Sequence, residues 1–323
     1  MKQKRILYID VLKLFTIYLV LWGHSIMHFQ PDYKQSVIFQ TIYAFHMPLF
    51  MMLSGYFAIS SMSLAAKEFF VKKVRQLLLP CLSWGIICWI FISSGLIYGT
   101  FNLEWETLFS GWLGVVDNFW FLKSCFICYV LTWLCWRCGR YKLIAMGVIW
   151  ILCTMQGRFN LAMMFPSFLL GLYLRKDTRI EHWLSKYWYL PATIFFVILA
   201  YKLVVHIDYP YIFRLLLGES GAVCSLVLFK RIIRKMPPTT LLEKTAEAGG
   251  QTLGVYILQA IFLEFLMPNY ISFESLSLWG IEILMPILSL LALLSCLLVI
   301  GILRKSDIMA FLFLGREIRH SAK

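Results

Sequence analysis

The residues of this 323-residue chain best placed to do chemistry are ionisable side chains within long apolar runs. The first run holds Asp10, Lys13, His24 and His28. At 100° per residue these four fall within about 60° of one another, so a helix carries them on one stripe. Lys13 and His24 then stand ~16 Å apart along the axis. Such a stripe puts charge towards one membrane face and imidazole towards the other, which suits a path for something that crosses the bilayer. A charge near the bilayer centre costs ~2.5–3.5 kcal/mol, so each one asks for a reason. Histidine is the side chain best matched to proton transfer near neutral pH, which singles out His24. The structural alternative pairs Asp10 with Lys13 at i, i+3, snorkelling to the inner interface, and leaves the histidines at the outer one.

A second run contains Phe45, His46, Met47 and Pro48. The proline deprives the Ala44 carbonyl of its helical donor and predicts a kink, beside which His46 can reach an interior cavity. Ser54 and Gly55 allow another helix or a ligand to approach closely, and ordinary small-residue helix packing is the simpler account. Lys123, Arg214, Glu219 and Glu264 also lie in or near apolar runs. Arg214 and Glu219 can compensate each other or line one cavity, and the sequence leaves both readings open.

The elements that must position these residues are membrane helices. Sixty per cent of the residues are hydrophobic and 15% are charged, more apolar surface than one soluble core can hide. The fold class expected is an all-α, polytopic integral membrane protein, a single domain over 1–323 with about ten transmembrane helices. They are placed near 6–28, 36–59, 77–98, 119–137, 143–155, 161–174, 188–206, 211–229, 252–268 and 281–303. The fifth and sixth are short and read as tilted, thin-region or re-entrant segments around Gln156–Asn160. The positive-inside rule supports this order, with N- and C-termini cytoplasmic. Lys67, Lys72, Lys73 and Arg75 then fall inside, as do Arg137, Arg140 and Lys142. So do Arg175, Lys176, Arg179 and Lys186, the run Lys230, Arg231, Arg234 and Lys235, and the tail from Arg304. The opposite loops hold Lys34 and Arg158, with Glu104, Glu106 and Asp117.

Three other classes are set aside. A net charge of +13 could point to nucleic acid, but the basic residues are scattered between apolar runs, so no nucleic-acid partner is expected. The first run follows Lys2, Lys4 and Arg5 like a secretory signal, yet carries Asp10 and Lys13 and lacks a small-residue cleavage site. Cys125, Cys128, Cys135 and Cys138 form two CxxC pairs without a polar loop between them, so they are read as packing residues and no metal is expected.

On these residues the chain resembles the membrane acyltransferase-3 family, whose members acylate sugars of bacterial surface and secreted glycans. RILYIDVLKLFTIYLVLWGH contains the family's pattern of a basic residue, ten residues and a histidine, here Lys13 and His24. FHMPLFMMLSGYF matches in Phe45, Pro48, Phe50, Ser54, Gly55 and Phe57. Weaker similarities are RQLLLP at Arg75–Pro80, NFWFL at Asn118–Leu122 with Trp120, and FPSFLLGLYLRK at Phe165–Lys176. GQTLGVYILQ at Gly250–Gln259 and FLFLG at Phe311–Gly315 extend them. Two departures stand out: Val71 occupies the place of the first of two arginines four apart, and Gln259 stands where a histidine is common.

The resemblance implies transfer of an acyl group, most often acetyl, from cytoplasmic acyl-CoA to a sugar hydroxyl of a surface polysaccharide or lipid-linked precursor. Acyl-CoA is a donor substrate, and no permanently bound cofactor is expected. His24, Lys13 and Asp10 are the catalytic candidates, with Arg75, Lys72 and Lys73 for the coenzyme phosphates and His46, Ser54 and Trp120 in the acceptor cavity. His24 either deprotonates the acceptor or carries the acyl group. The location implied is the bacterial cytoplasmic membrane, with lipid around the chain. The competing class is a glycan transporter or flippase using Asp10, Lys13, His46 and Glu264. A membrane scaffold would leave these charges unexplained.

Overall fold

The computed structural model describes residues 6–30, 32–93, 112–113, 116–117, 119–157, 160–205, 210–237, 239–266 and 278–317. The expectations for Lys2, Lys4, Arg5, Glu104, Glu106, Asn118 and Arg158 lie outside them, as do the span ends at 94–98, 206 and 267–268. The described residues form helices and turns, with no strand among them. In chain order the helices are α1 (Leu7–Phe29), α2 (Val37–Tyr56), α3 (Ile59–Met62), α4 (Ala66–Lys73) and α5 (Leu79–Ser93). There follow α6 (Trp120–Arg137), α7 (Lys142–Gln156), α8 (Leu161–Lys176), α9 (Thr178–Lys186) and α10 (Tyr189–Val205). The chain continues through α11 (Tyr211–Lys235), α12 (Thr240–Gly249), α13 (Thr252–Gln259), α14 (Leu278–Leu303) and α15 (Asp307–Leu314). Wide π-helical turns run over Val74–Leu78, leading into α5, and Ala260–Leu266, continuing α13.

The apolar runs form helices because lipid leaves the backbone no other hydrogen-bond partners. Many large apolar side chains accordingly point away from the bundle, including Ile144, Val148, Ile151 and Met155 on α7 and Ile283, Ile287, Leu294 and Leu298 on α14. Among the described residues, four helices are long and apolar enough to cross a membrane: Leu7–Phe29, Val37–Tyr56, Tyr211–Lys235 and Glu282–Leu303. The pair α9 and α10, bent by 67°, makes a fifth if taken together. The remaining apolar helices are shorter than the roughly 20 residues of a full span. This is the frame of a multi-pass membrane protein, with four or five such spans among the described residues.

Five helices stand where loops were expected: α3, α4, α9, α12 and α15. Side-chain caps start three of them, with Asp177 accepting from the Arg179 N–H, Thr239 from Leu242 and Ser306 from Met309. Backbone contact at glycine then fixes the bundle. A Cβ on Gly55 of α2 would lie 1.9 Å from the Phe168 carbonyl oxygen of α8, and one on Gly171 of α8 would lie 1.8 Å from that of Met52. The two helices therefore cross with backbones touching, as small residues permit. Gly249 of α12 meets the Asp10 carbonyl in the same way, at 1.7 Å, and anchors the start of α1. Buried Ile17, Leu21, Phe50, Phe121, Phe165 and Val255 belong to the core these crossings enclose.

Candidate functional site

Three hollows follow one another through the bundle, and α2, α6 and α13 line all three. The first, of about 680 Å³, is lined by Lys13, Ser54, Lys72, Arg75, Thr252 and Arg316, among others. The second is a throat of about 150 Å³ that shares Ser54, Leu77 and Thr252 with the first and adds Cys125 and Tyr256. The third, about 420 Å³, shares Tyr256 with the throat and is lined by His24, His46, Tyr43, Trp120 and Gln259. On α13 the order reads Thr252, Tyr256, Gln259, and on α1 it reads Lys13, His24. Residues one helical turn apart on α13 thus face successive hollows, while Lys13 and His24 on α1 are about three turns apart.

The basic chamber carries Lys13, Lys72, Arg75 and Arg316 against one carboxylate, Glu317. Lys13 Nζ lies 3.1 Å from Asp10 Oδ1 and 4.0 Å from the centre of the Phe57 ring. Asp10 is buried and is not part of the chamber lining, so it acts by holding Lys13. Arg75 sits on the π-turn, a wide helical turn frequent at functional sites. Its guanidinium pairs with Glu317, while its buried Nε has no partner among the described residues. The FLFLG segment closes the wall here: Gly315 adopts a φ of 62° and packs on the Arg75 and Gln76 backbone. The indole of Trp84 donates to the Phe313 carbonyl at 3.0 Å.

Lys73 lies elsewhere. It is 4% exposed, its ammonium 3.5 Å from the centre of the Tyr129 ring and 3.4 Å from Gln76 Oε1. Burial lowers it to about 8. Ser54, expected beside His46, faces the basic chamber and the throat, and its hydroxyl donates to the Phe50 carbonyl at 3.0 Å.

In the histidine cavity, His46 is 2% exposed and its Nδ1 lies 2.7 Å from the Ile42 carbonyl oxygen. A carbonyl only accepts, so Nδ1 carries the proton and Nε2 of the neutral ring is an acceptor. Tyr43, three residues earlier on the same face, has its ring 4.7 Å from His46. His24 shares the cavity, whereas His28 lies one turn on, with ring centres 6.2 Å apart, and does not line it. Gln259, 1% exposed, leaves Oε1 without a partner among the described residues. Asn160, at a φ of 51°, directly precedes α8 and reaches the cavity too. Tyr43, Asn160 and Tyr256 line this cavity without having been singled out in the sequence, while Gln259, noted there as a departure from the family's histidine, lines it too.

Of the other intramembrane charges, Lys123 pairs with Asp117 and Arg214 is exposed. Glu219 Oε1 lies 2.5 Å from the Ser167 hydroxyl rather than at Arg214. The side chain of Glu264 lies outside the described residues. Cys125, Cys128 and Cys135 are buried and Cys138 is exposed.

The described residues thus set a basic chamber, a narrow throat and an imidazole-lined cavity in succession within a bundle of apolar helices. Residues 6–304 match the family model described as an acyltransferase domain, and the chain belongs to this acyltransferase-3 family of membrane acyltransferases. The nodulation protein NolL of Mesorhizobium japonicum (strain LMG 29417 / CECT 9101 / MAFF 303099) is 34% identical to it over 136 residues, 40% of this chain. The match spans 35% of NolL, about a third of that relative's length. No solved structure matches the chain.

Proposed function

We propose that the protein moves an acyl group, acetyl in the simplest case, from acyl-CoA in the basic chamber to a sugar hydroxyl in the histidine cavity. The acceptor is a bacterial surface polysaccharide or its lipid-linked precursor. The observation that carries this reading is the succession of hollows from Lys13 and Arg75 to His24 and His46. The gathering of lysine and arginine at the chamber end supports its facing the cytoplasm of a bacterial inner membrane.

Lys13, Lys72 and Arg75 bind the coenzyme phosphates, Arg75 through the Nε that has no partner among the described residues. The pantetheine arm extends past Ser54 and Cys125, and the ~16 Å from Lys13 to His24 is within its reach. His24 takes the proton of the acceptor hydroxyl as its oxygen attacks the thioester carbonyl. The tetrahedral intermediate collapses, the C–S bond breaks, and the coenzyme thiolate leaves and recovers the proton from His24. His46, fixed through Nδ1, accepts a hydrogen bond at Nε2 and orients the sugar. Gln259 Oε1 offers a second acceptor, and Trp120 and Tyr256 offer apolar faces for the ring.

Mass spectrometry of glycans from cells with wild type, His24→Ala and no copy of the gene tests this. Loss of one acyl mass from both altered strains, with the variant inserted at normal level, is expected. Retained acylation in His24→Ala removes His24 from the chemistry. An unmodified wild-type glycan whose export depends on the gene moves the assignment to a transporter.

A further inference from the structure

Two further hollows lie apart from the basic chamber, throat and histidine cavity, along α9, α10 and α11. The first is a groove of about 720 Å³ lined by Arg179, Lys186, Lys230, Arg234, Trp183 and Glu181, with others. Four formal positive charges there face a single carboxylate. Glu181 is already engaged, 2.7 Å from Lys230 Nζ and accepting from the Tyr8 hydroxyl at 2.9 Å. Arg179 is held by Asp177 at 2.8 Å. Lys186 and Arg234 have no carboxylate partner among the described residues.

The second hollow is an apolar slot of about 260 Å³ between α2, α10 and α11, lined by Phe45, Phe195, Phe196, Gly221, Cys224 and Leu228. At its rim the Arg231 guanidinium lies 5.1 Å from the centre of the Trp188 ring. Trp188 and Arg231 of the slot directly follow Tyr187 and Lys230 of the groove in sequence, which places the two hollows close to one another. Charge that only orients a chain in the membrane needs neither a groove nor a slot. A cationic groove close to an apolar slot, on a short polar helix bent by 67° against a membrane helix, fits an amphiphile lying at the interface.

We propose that an anionic phospholipid of the surrounding membrane occupies this site, its phosphate between Lys186 and Arg234 and one acyl chain in the slot. The chain lies against Phe45, the residue before His46 on α2. Phe45 and the Phe195 ring also close on Gly221, with 2.6 and 2.8 Å left for a Cβ there. The lipid therefore braces α10 and α11 against the part of α2 that carries His46.

Native mass spectrometry of the full-length protein, exchanged into detergent with phosphatidylglycerol or phosphatidylcholine, tests the site without using the transferase activity. One retained phosphatidylglycerol is expected, bound at least about tenfold more tightly than phosphatidylcholine. Lys186→Gln with Arg234→Gln should abolish that preference, and Cys224→Trp, which fills the slot, should remove the lipid by an independent route. Lys67→Gln, a charge change elsewhere, should leave it in place. Equal retention of the two lipids, or unchanged retention in both the double variant and Cys224→Trp, overturns the proposal. Displacement of phosphatidylglycerol by an equal concentration of a polyprenyl phosphate overturns the choice of a bilayer lipid.

Discussion

Arg75→Gln should damage donor binding while sparing chemistry. The Arg75 side chain is 18% exposed, and its buried Nε has no partner among the described residues. A charge-assisted hydrogen bond is worth about 1.5–3 kcal/mol, which at 1.4 kcal/mol per decade raises the KM for acyl-CoA about 10- to 100-fold. Since Arg75 lines the basic chamber and not the histidine cavity, kcat and the acceptor KM should stay within about twofold. Glu317 supplies the opposite perturbation. Its carboxylate occupies the Arg75 guanidinium in the free protein and is 74% exposed. An exposed pair contributes about 0–1 kcal/mol, so Glu317→Gln should lower the acyl-CoA KM by up to about fivefold. Steady-state kinetics in proteoliposomes, varying donor and acceptor separately, measures all of these. A fall in kcat at unchanged acyl-CoA KM in Arg75→Gln would refute the placement of the phosphates.

Thr252→Trp should close the throat: acyl-CoA still binds by calorimetry, but turnover falls at least about 100-fold, the scale of a disrupted reacting geometry. Full turnover in that variant would mean that the acyl group takes another route. Gly171→Val should cost about 1–3 kcal/mol or prevent folding, because the added Cβ meets the Met52 carbonyl at 1.8 Å. Detergent thermal melts report it, and an unchanged Tm would contradict the α2–α8 crossing. Lys73 is depressed to about 8 against an ordinary value of 10.5, so the unfolded chain binds more protons between those values and stability rises with pH across that window. The gain is about 3 kcal/mol at most, and it should vanish in Lys73→Met. A melt that does not respond to pH between 8 and 10 would place Lys73 in water.

What the sequence could convey was set by range. The helices over 7–29, 37–56 and 211–235 were legible because lipid allows no other backbone structure in an apolar run. The α1 stripe was legible because a helix fixes the axial spacing of Lys13 and His24. That same regularity exposed a missed signal, since Tyr43 shares the face of His46 at i, i+3. The small helices α4, α9 and α12 were hidden because they are short, polar and stabilised by docking rather than by their own apolar length.

The side of the path on which a residue emerges depends on contacts far away in the chain. Lys72 and Lys73 are chemically alike and adjacent, yet one lines the basic chamber and the other is buried over Tyr129, because successive helical residues point 100° apart. Nothing in residues 72–75 says which direction Tyr129 will occupy. That is decided where α6 packs, and the Tyr129 hydroxyl, donating to the Ser54 carbonyl at 3.0 Å, ties α6 to α2. The α2 position is in turn set by the meeting of Gly55 with α8. A motif on one helix therefore specifies which groups are available and how far apart along the membrane they stand. Their partition between basic chamber, throat and histidine cavity belongs to the helix crossings, and substitutions at Gly55 or Gly171 should disturb both ends of the path at once.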